Sequence, residues 1–204
     1  MDDDQHEARP RPDFLTKPVL SGDLVLLRAV TELDLPALRP MLADPEVARL
    51  TGSQSGAPEE ARLQAWYRTR IGQDDRLDLA VVERGTGQCV GEAVLNQWDG
   101  PNESCNFRIA LAPGAHGRGL GTEATRLICG YGFEKLGLHR ISLEVYAFNP
   151  RARRAYEKAG FRAEGVLRDA LRWDGQWVDA VVMSMLAGED RPDGGAGWTD
   201  RSRS

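Results

Sequence analysis

A short glycine-rich segment between two regular elements constrains this chain more than any other feature. The segment is His116-Gly117-Arg118-Gly119-Leu120-Gly121, and it leads from a predicted strand into a predicted helix. Glycine lets a ligand approach the backbone closely, and the amides of such a loop and of a helix N-terminus favour an anion. The segment therefore predicts a pyrophosphate site, with Arg118 as a bidentate partner. Its spacing matches neither the dinucleotide fingerprint GxGxxG nor the P-loop GxxxxGK(S/T), which excludes a P-loop NTPase.

Periodicity along the rest of the chain predicts a mixed α/β domain. Strands are predicted at residues 24–28, 77–83, 89–96, 103–111, 140–146, 166–173 and 176–186. Helices are predicted at residues 34–42, 58–71, 122–136 and 151–159. Asp174-Gly175 predicts a tight hairpin between the last two strands, and Gly160 predicts a helix C-terminus. This order of elements predicts a single central, mostly antiparallel mixed sheet flanked by helices.

The two ends of the chain differ in composition from the middle. Residues 1–17 are polar and contain prolines, and residues 189–204 are rich in glycine and charge. We therefore expect a flexible arm and a disordered tail on either side of one domain at residues 18–188. The N-terminus lacks the apolar segment of a secretory signal, and no apolar run reaches the roughly 18 residues of a membrane-spanning helix. We expect a cytoplasmic protein with no membrane partner.

Cysteines and histidines are few and scattered. Cys89, Cys105 and Cys129 form no CxxC pair, which argues against a disulfide framework and a cysteine-rich zinc site. The three histidines lie far apart, so we expect no metal. No histidine is near enough in sequence to activate a cysteine nucleophile, and buried structural thiols are the expectation.

Charge is sorted along the chain. The whole chain has a net charge of −5, which argues against a nucleic-acid partner. Residues 116–162, however, carry +5, whereas residues 18–115 carry −5. A positive block within an acidic protein can face a polyanion, although a solvated basic helix face explains it at least as well.

A second motif follows the glycine-rich loop. The helix sequence NPRARRAYEKAGF begins 28 residues after Gly121, and the strand LEVYAFN precedes it. Together with the loop, these residues resemble the GNAT superfamily of N-acetyltransferases, and GVLRDALRWDGQWVDAVVMSML resembles its RimJ/RimL-type subgroup. The resemblance covers most of residues 20–187 and implies a GNAT-like acyl-CoA N-acyltransferase fold. The chain departs from the family pattern at His116, where that pattern has Gln or Arg.

The resemblance implies that acetyl-CoA binds as co-substrate in a V between two neighbouring, splayed strands. The three phosphate groups of the coenzyme would then account for the positive block. The residues implied to contact acetyl-CoA are Ile109, Ala110 and Leu111 along pantetheine, Gly117, Arg118, Gly119, Leu120, Gly121 and Thr122 around the pyrophosphate, Asn149 on the pantetheine arm, and Arg153 and Arg154, together with Arg151, near the ribose phosphate.

The resemblance also implies direct attack of a neutral amine on the thioester, without a covalent acyl-enzyme. This chemistry needs a base for the ammonium proton, a donor to the developing oxyanion and an acid for the departing thiolate. Tyr156 matches the family's acid, and a backbone N–H near Ile109 would serve the oxyanion. Glu144 is the first candidate for the base and Glu92 the second, with Glu103 as a competitor, acting directly or through a water.

The acceptor is expected to be a primary amine, either a protein N-terminal amine or a cationic small molecule. The acidic residues 18–115 favour a cationic acceptor because opposite charges attract. Loops at residues 43–62 and 97–104 are expected to shape its pocket. Two points stay open: whether the protein is a homodimer, and the alternative of a non-catalytic acyl-CoA sensor with the same fold.

Overall fold

The computed structural model describes residues 11–54 and 59–189, which form one eight-stranded sheet flanked by helices. The strands are β1 (Leu20–Ser21), β2 (Val25–Ala29), β3 (Leu77–Glu83), β4 (Cys89–Asp99), β5 (Ser104–Leu111), β6 (Arg140–Tyr146), β7 (Arg162–Trp173) and β8 (Gln176–Leu186). The α-helices are α1 (Leu35–Leu42), α2 (Pro45–Thr51), α3 (Glu60–Arg70), α4 (Leu120–Glu134) and α5 (Pro150–Ala159). No helix in these two ranges is long and apolar enough to cross a membrane.

The sheet has the order β1-β2-β3-β4-β5-β6-β8-β7. Neighbouring strands run antiparallel except β5 and β6, which are parallel and joined through α4. The prediction of a single, mostly antiparallel mixed sheet is therefore confirmed. The hairpin predicted at Asp174-Gly175 is also present, with φ of 47° and 78° at these residues, the left-handed pair that a type I′ turn requires.

Two apolar clusters cover opposite faces of the sheet. Leu79 and Val81 of β3 belong to the larger cluster, which also contains residues of α4. Ala80 belongs to the other, with residues of α1, α2 and α3. Successive residues of a strand point to opposite faces, so α4 packs on one side and α1–α3 on the other.

Strands β5 and β6 separate along their length. Their pairing is limited to Ser104–Arg140, Cys105–Ile141 and Asn106–Ser142. Beyond these pairs β5 continues to Leu111 beside β4, while β6 continues to Tyr146 beside β8. The sheet therefore opens into a V between the carboxyl-terminal halves of β5 and β6, where backbone groups face a gap instead of a neighbouring strand.

Helix α2 was not predicted, because residues 43–62 read as a loop. The sequence nevertheless carries its boundary signals: the Asp44 side chain accepts a hydrogen bond from the Val47 amide at 2.9 Å, and Gly52 ends the helix at φ 68°. Only Val47 of this short helix is buried, so no apolar period revealed it. In α3, Leu63 and Tyr67 are buried while Trp66 is half exposed.

The last residues of the expected arm pack against the domain. Phe14 is 1% exposed within the larger cluster, and its ring lies 5.8 Å from that of Trp98. The Lys17 ammonium donates hydrogen bonds to the carbonyls of Gln73 and Arg76 at 2.8 and 2.9 Å. Residues 11–17 thus pack against the sheet and the α3–β3 turn. The remainder of the expected arm and almost all of the expected tail lie outside the described residues.

Glu123 in the first turn of α4 holds the turn between β1 and β2. Its carboxylate accepts hydrogen bonds from the amides of Asp23, Leu24 and Val25 at 2.9, 2.8 and 2.7 Å. These bonds fix the helix that follows the glycine-rich loop to the edge of the sheet.

Replacing Glu123 with Ala should lower the free energy of unfolding by about 2–4 kcal/mol, because three amides lose a charged acceptor. Urea unfolding at neutral pH measures the loss. Glu157→Ala is the matched control, because this helical glutamate forms an exposed i,i+4 pair with Arg153 and its removal should cost less than about 0.5 kcal/mol. Equal losses in the two variants would contradict the role given to Glu123.

Candidate functional site

A cavity of about 280 Å³ lies at the V, beside β5. Helix α2, the end of β5, the glycine-rich loop, the start of α4 and one side of α5 form its walls. Of the predicted residues, those that line it are Ile109, Ala110, Leu111, Gly117, Gly119, Gly121, Thr122, Asn149, Arg154 and Tyr156. Arg151, which was also expected near the coenzyme, lines it too, as do residues outside the predicted set, among them Val47, Leu50, Thr51, His116 and Lys158.

The glycine-rich loop wraps one end of this cavity. Gly117 and Gly119 have φ of 73° and 83°, which side chains rarely adopt, so the glycines are needed for the path of the loop. Helix α4 begins directly afterwards, at Leu120. The first amides of a helix have no carbonyl partner within it and carry partial positive charge, so this end of the cavity suits a phosphate group.

Two predicted loop residues do not face the cavity. The Arg118 guanidinium pairs with the Glu83 carboxylate at the end of β3, with a second contact of 3.3 Å. A pyrophosphate would compete with this carboxylate, so the bidentate role predicted for Arg118 is not supported by the geometry. Leu120 is 3% exposed and packs in the larger cluster, so only its backbone can serve a ligand.

Three basic residues of α5 line the cavity: Arg151, Arg154 and Lys158. Arg153 does not, because it points to the outer face of the helix and bonds Glu157 at 2.9 Å. The helix period separates neighbouring arginines onto different sides. Arg153 and Arg154 thus have different surroundings, which the sequence pattern alone did not distinguish.

Asn149 and Tyr156 also line the cavity. Asn149 is 9% exposed and caps α5 by accepting a hydrogen bond from the Ala152 amide at 3.1 Å. The Tyr156 ring packs edge-on against Phe107, with centroids 6.1 Å apart, and against Phe161 at 5.9 Å. Burial raises the pKa of Tyr156 to about 12, so its hydroxyl stays protonated and can donate.

His116 closes the cavity wall between β5 and the loop. Its Nε2 lies 3.0 Å from the Leu111 carbonyl, the last one of β5. Burial, and secondarily the nearby Arg151, lower its pKa, which favours the neutral ring with Nε2 as the donor. The residue that departs from the family pattern thus fixes the end of β5 to the loop.

Glu92 lies on the other face of the sheet from α4. It stands opposite Ala80 and Ala110 in the β-ladder, on the face that α1–α3 cover. Its carboxyl group is half-buried, and burial raises its pKa to about 7, with Asp78 and Asp34 acting in the same direction. The Tyr67 hydroxyl is its hydrogen-bond partner and opposes the rise. A carboxyl group with this pKa can exchange a proton near neutral pH.

Glu144 shares this face but has different surroundings. Asn106 pairs with Ser142, so alternate residues place Ala110 and Glu144 on the same side of the sheet. Glu144 is exposed, whereas its neighbours Leu143 and Val145 are buried on the other side. Glu103 precedes β5 at the paired end of the strands, away from the opening of the V, so it does not compete for the site.

Known acetyltransferases are similar in sequence to this chain. A family model described as an acetyltransferase (GNAT) domain matches residues 25–162. The probable N-acetyltransferase YjcK of Bacillus subtilis is 31% identical over 125 residues, which cover 61% of this chain and 69% of that protein. The spermidine N(1)-acetyltransferase of Escherichia coli K12 is 31% identical over 112 residues, 55% of this chain and 60% of that protein.

Solved structures of acetyltransferases have a similar fold. The crystal structure of spermidine N-acetyltransferase from Vibrio cholerae, in complex with CoA and spermine, matches with a TM-score of 0.74 at 24% identity, over 81% of this chain and 96% of that chain. The predicted GNAT-like fold is therefore confirmed, and the family match spans β5, the glycine-rich loop, β6 and α5. The protein is an acyl-transferring enzyme, and it belongs to the GNAT family of acetyltransferases.

Proposed function

We propose that this protein transfers the acetyl group of acetyl-CoA to a primary amine of a cationic acceptor, in the cytoplasm, by direct attack in a ternary complex. One observation carries the proposal. The cavity at the V has basic, amide-rich walls from the loop, α4 and α5, and α2 closes it from the other face of the sheet. On that other face, the half-buried Glu92 stands opposite Ala110, which lines the cavity. A thioester held in the V would meet an amine that enters from the opposite face.

The polar and basic groups that line the cavity match the groups of acetyl-CoA. The loop amides and the start of α4 would hold the pyrophosphate, and the unpaired edge of β5 at residues 109–111 would bond pantetheine amides. Arg154, Arg151 and Lys158 supply positive charge for the remaining phosphate. Asn149 and Tyr156 lie where the thioester end of the molecule would be.

Arg154→Ala should raise the KM for acetyl-CoA about tenfold, whereas Arg153→Ala should change it less than about twofold. The reason is that Arg154 lines the cavity while Arg153 bonds Glu157 on the outer face of α5. Steady-state rates with acetyl-CoA and with its 3′-dephospho form measure the effect, and Arg154→Ala should lose the preference for the phosphorylated form. Equal effects of the two substitutions would contradict this arrangement of α5.

In the proposed reaction the amine nitrogen bonds to the acetyl carbon as the carbon–sulfur bond breaks. Glu92, directly or through one water, takes the proton that the attacking nitrogen loses, and Tyr156 gives a proton to the departing thiolate. With a pKa near 7, Glu92 is largely ionised at slightly alkaline pH and still basic enough to act. A backbone amide near Ile109 would stabilise the oxyanion. This reverses the order expected from the sequence: Glu144 becomes the second candidate, because an exposed carboxylate is a weaker match for a tuned base.

Charge on the α1–α3 side favours a cationic acceptor. Glu92 and the exposed Glu144 share this face, while Asp34 and Asp78 near Glu92 are paired with Arg28 and Arg76. Spermidine, named for the Escherichia coli relative, is an acceptor of this kind. The resemblance to RimJ/RimL-type proteins favours a protein N-terminal amine instead, and this alternative acceptor stays a prediction.

A thiol-release screen tests the function. Acetyl-CoA is incubated with polyamines, diamines, amino acids, aminoglycosides and peptides with free N-termini, and the free CoA thiol is measured. We expect release with a cationic amine, and a KM for that amine that rises with ionic strength because salt screens the attraction. Saturable acetyl-CoA binding with no release for any amine would contradict the proposal.

A further inference from the structure

A charged contact holds the glycine-rich loop from outside the cavity. The Arg118 guanidinium donates to both carboxylate oxygens of Glu83, the last residue of β3. Two parallel hydrogen bonds between a guanidinium and a carboxylate fix the relative position of the two groups more firmly than a single point contact. The pair therefore joins the middle of the loop to the end of a core strand.

Glu83 is the firmly placed member of this pair. Its side chain is 10% exposed, whereas that of Arg118 is 50% exposed. Its amide donates to the Gln88 carbonyl at 2.9 Å, its carbonyl accepts from the Gly87 amide at 2.8 Å, and its carboxylate also accepts from the Thr86 hydroxyl at 3.2 Å. The end of β3 is thus a fixed support to which the arginine attaches the loop.

The loop needs such a support because its own residues do little to fix its path. Gly117 and Gly119 have positive φ, and glycine loses more conformational freedom than any other residue when its backbone is fixed. Among the described residues, no atom beyond the chain neighbours of Gly117 lies within 4 Å of the point that a Cβ would occupy there. The path of the loop therefore depends on the contacts of the residues that flank these glycines.

A second contact holds the start of α4 on the strand next to β3. Val25 of β2 pairs with Glu83 in the β-ladder, and its amide donates to the Glu123 carboxylate of α4 at 2.7 Å. Arg118 and Glu123 thus attach the loop and the helix to neighbouring positions of the sheet. The amides of residues 119–122, which would face a pyrophosphate, lie between these two attachments.

We propose that Glu83 is a positioning residue for acetyl-CoA: through Arg118 it holds the glycine-rich loop in the conformation that binds the pyrophosphate. This rests on the proposed function, because it assumes that acetyl-CoA is the ligand of the cavity. Without the pair, the loop occupies its binding conformation for a smaller fraction of the time, and the apparent affinity falls by the same factor. The transfer step uses other residues, so kcat at saturating acetyl-CoA should not change.

The test measures kcat and the KM for acetyl-CoA in single and double variants. Glu83→Gln and Arg118→Gln should each raise this KM about tenfold, with kcat within about twofold, and the double variant should be no worse than either single one. If Arg118 bound the pyrophosphate directly, Glu83→Gln would release its guanidinium and lower the KM, which would overturn the proposal. Glu83→Asp keeps the charge on a shorter side chain; it should raise the KM about threefold and gives the answer if the glutamine variant does not fold.

S-acetylpantetheine separates positioning of the loop from general damage to the fold. This thioester lacks the pyrophosphate and the nucleotide, so its kcat/KM should be equal in the wild type and in all these variants. A loss as large as the loss for acetyl-CoA would contradict the proposal. Glu164→Gln is the matched control, because it breaks another two-contact pair, with Arg140 at the start of β6, and should leave the KM for acetyl-CoA unchanged.

Failure of the positioning role and failure of the proposed function give different results. If an amine is acetylated with the same KM for acetyl-CoA in the wild type and in Glu83→Gln, the positioning proposal is wrong while the acetyltransfer proposal stands. If no amine is acetylated, calorimetric titration of both proteins with CoA decides separately. About tenfold weaker binding by Glu83→Gln supports the positioning role. Equal binding, tighter binding by the variant, or no detectable binding by either protein overturns it.

Discussion

Glu92→Gln should lower kcat by about 10²- to 10⁴-fold while leaving the affinity for acetyl-CoA within about twofold. Glutamine keeps the size of the side chain and can still accept a hydrogen bond from Tyr67, but it cannot take a proton from the attacking amine. Steady-state rates with saturating amine, and titration of the variant with CoA, separate the two effects. Glu144→Gln is the matched control, since it removes an exposed carboxylate from the same face of the sheet. A large loss in Glu144→Gln with none in Glu92→Gln would reverse the two roles.

The pH dependence of Glu92→Gln gives an independent check. In the wild type, kcat should fall as the pH drops through about 7, because burial raises the pKa of Glu92 to that value and the protonated acid cannot act as a base. The residual activity of the variant should lack this dependence. A wild-type profile that stays level down to pH 5.5 would contradict the assignment.

The same shift predicts how stability changes with pH. Because the folded-state pKa of Glu92 lies above its ordinary value of 4.5, the group favours folding most below pH 4.5, and that contribution is lost as the pH rises to about 7. Glutamine does not titrate. Relative to the wild type, Glu92→Gln should therefore gain about 1–3 kcal/mol in the free energy of unfolding between pH 4 and pH 8. Urea unfolding at the two pH values measures this gain.

Tyr156→Phe should lower kcat by about 10²- to 10³-fold, because the departing thiolate loses its proton donor. Phenylalanine retains the ring that packs against Phe107 and Phe161, so we expect acetyl-CoA binding and thermal stability to change little. Titration with CoA and a thermal melt provide these controls. Unchanged turnover in Tyr156→Phe would remove the tyrosine from the mechanism.

Local signals in the sequence predict much of the fold. The boundaries of β3, β6 and β8 match the prediction to the residue, because each strand combines apolar or alternating residues with a clear turn signal. Residues of the glycine-rich loop and of α5 line one cavity, as the two motifs suggest for a common site. Helix α2 was not predicted, because a seven-residue helix with one buried residue shows almost no apolar periodicity.

The remaining features of the site depend on contacts between distant residues. Arg118 bonds Glu83, 35 positions earlier, so the sequence could not reveal that its side chain leaves the phosphate loop. Tyr67 of α3 meets Glu92 of β4, and that contact, with burial, sets the pKa of the carboxyl group. Alternation in β6 separates Glu144 from its buried apolar neighbours, but alternation alone does not show which helices cover each face of the sheet.

Initial-rate kinetics with both substrates varied test direct transfer at the V most plainly. Attack within a ternary complex of enzyme, acetyl-CoA and amine predicts double-reciprocal lines that intersect. It also predicts that no acetyl group stays on the protein when the amine is omitted, as intact-protein mass spectrometry would record. Parallel lines, together with a stable acetyl-enzyme, would contradict the mechanism assigned to Glu92 and Tyr156.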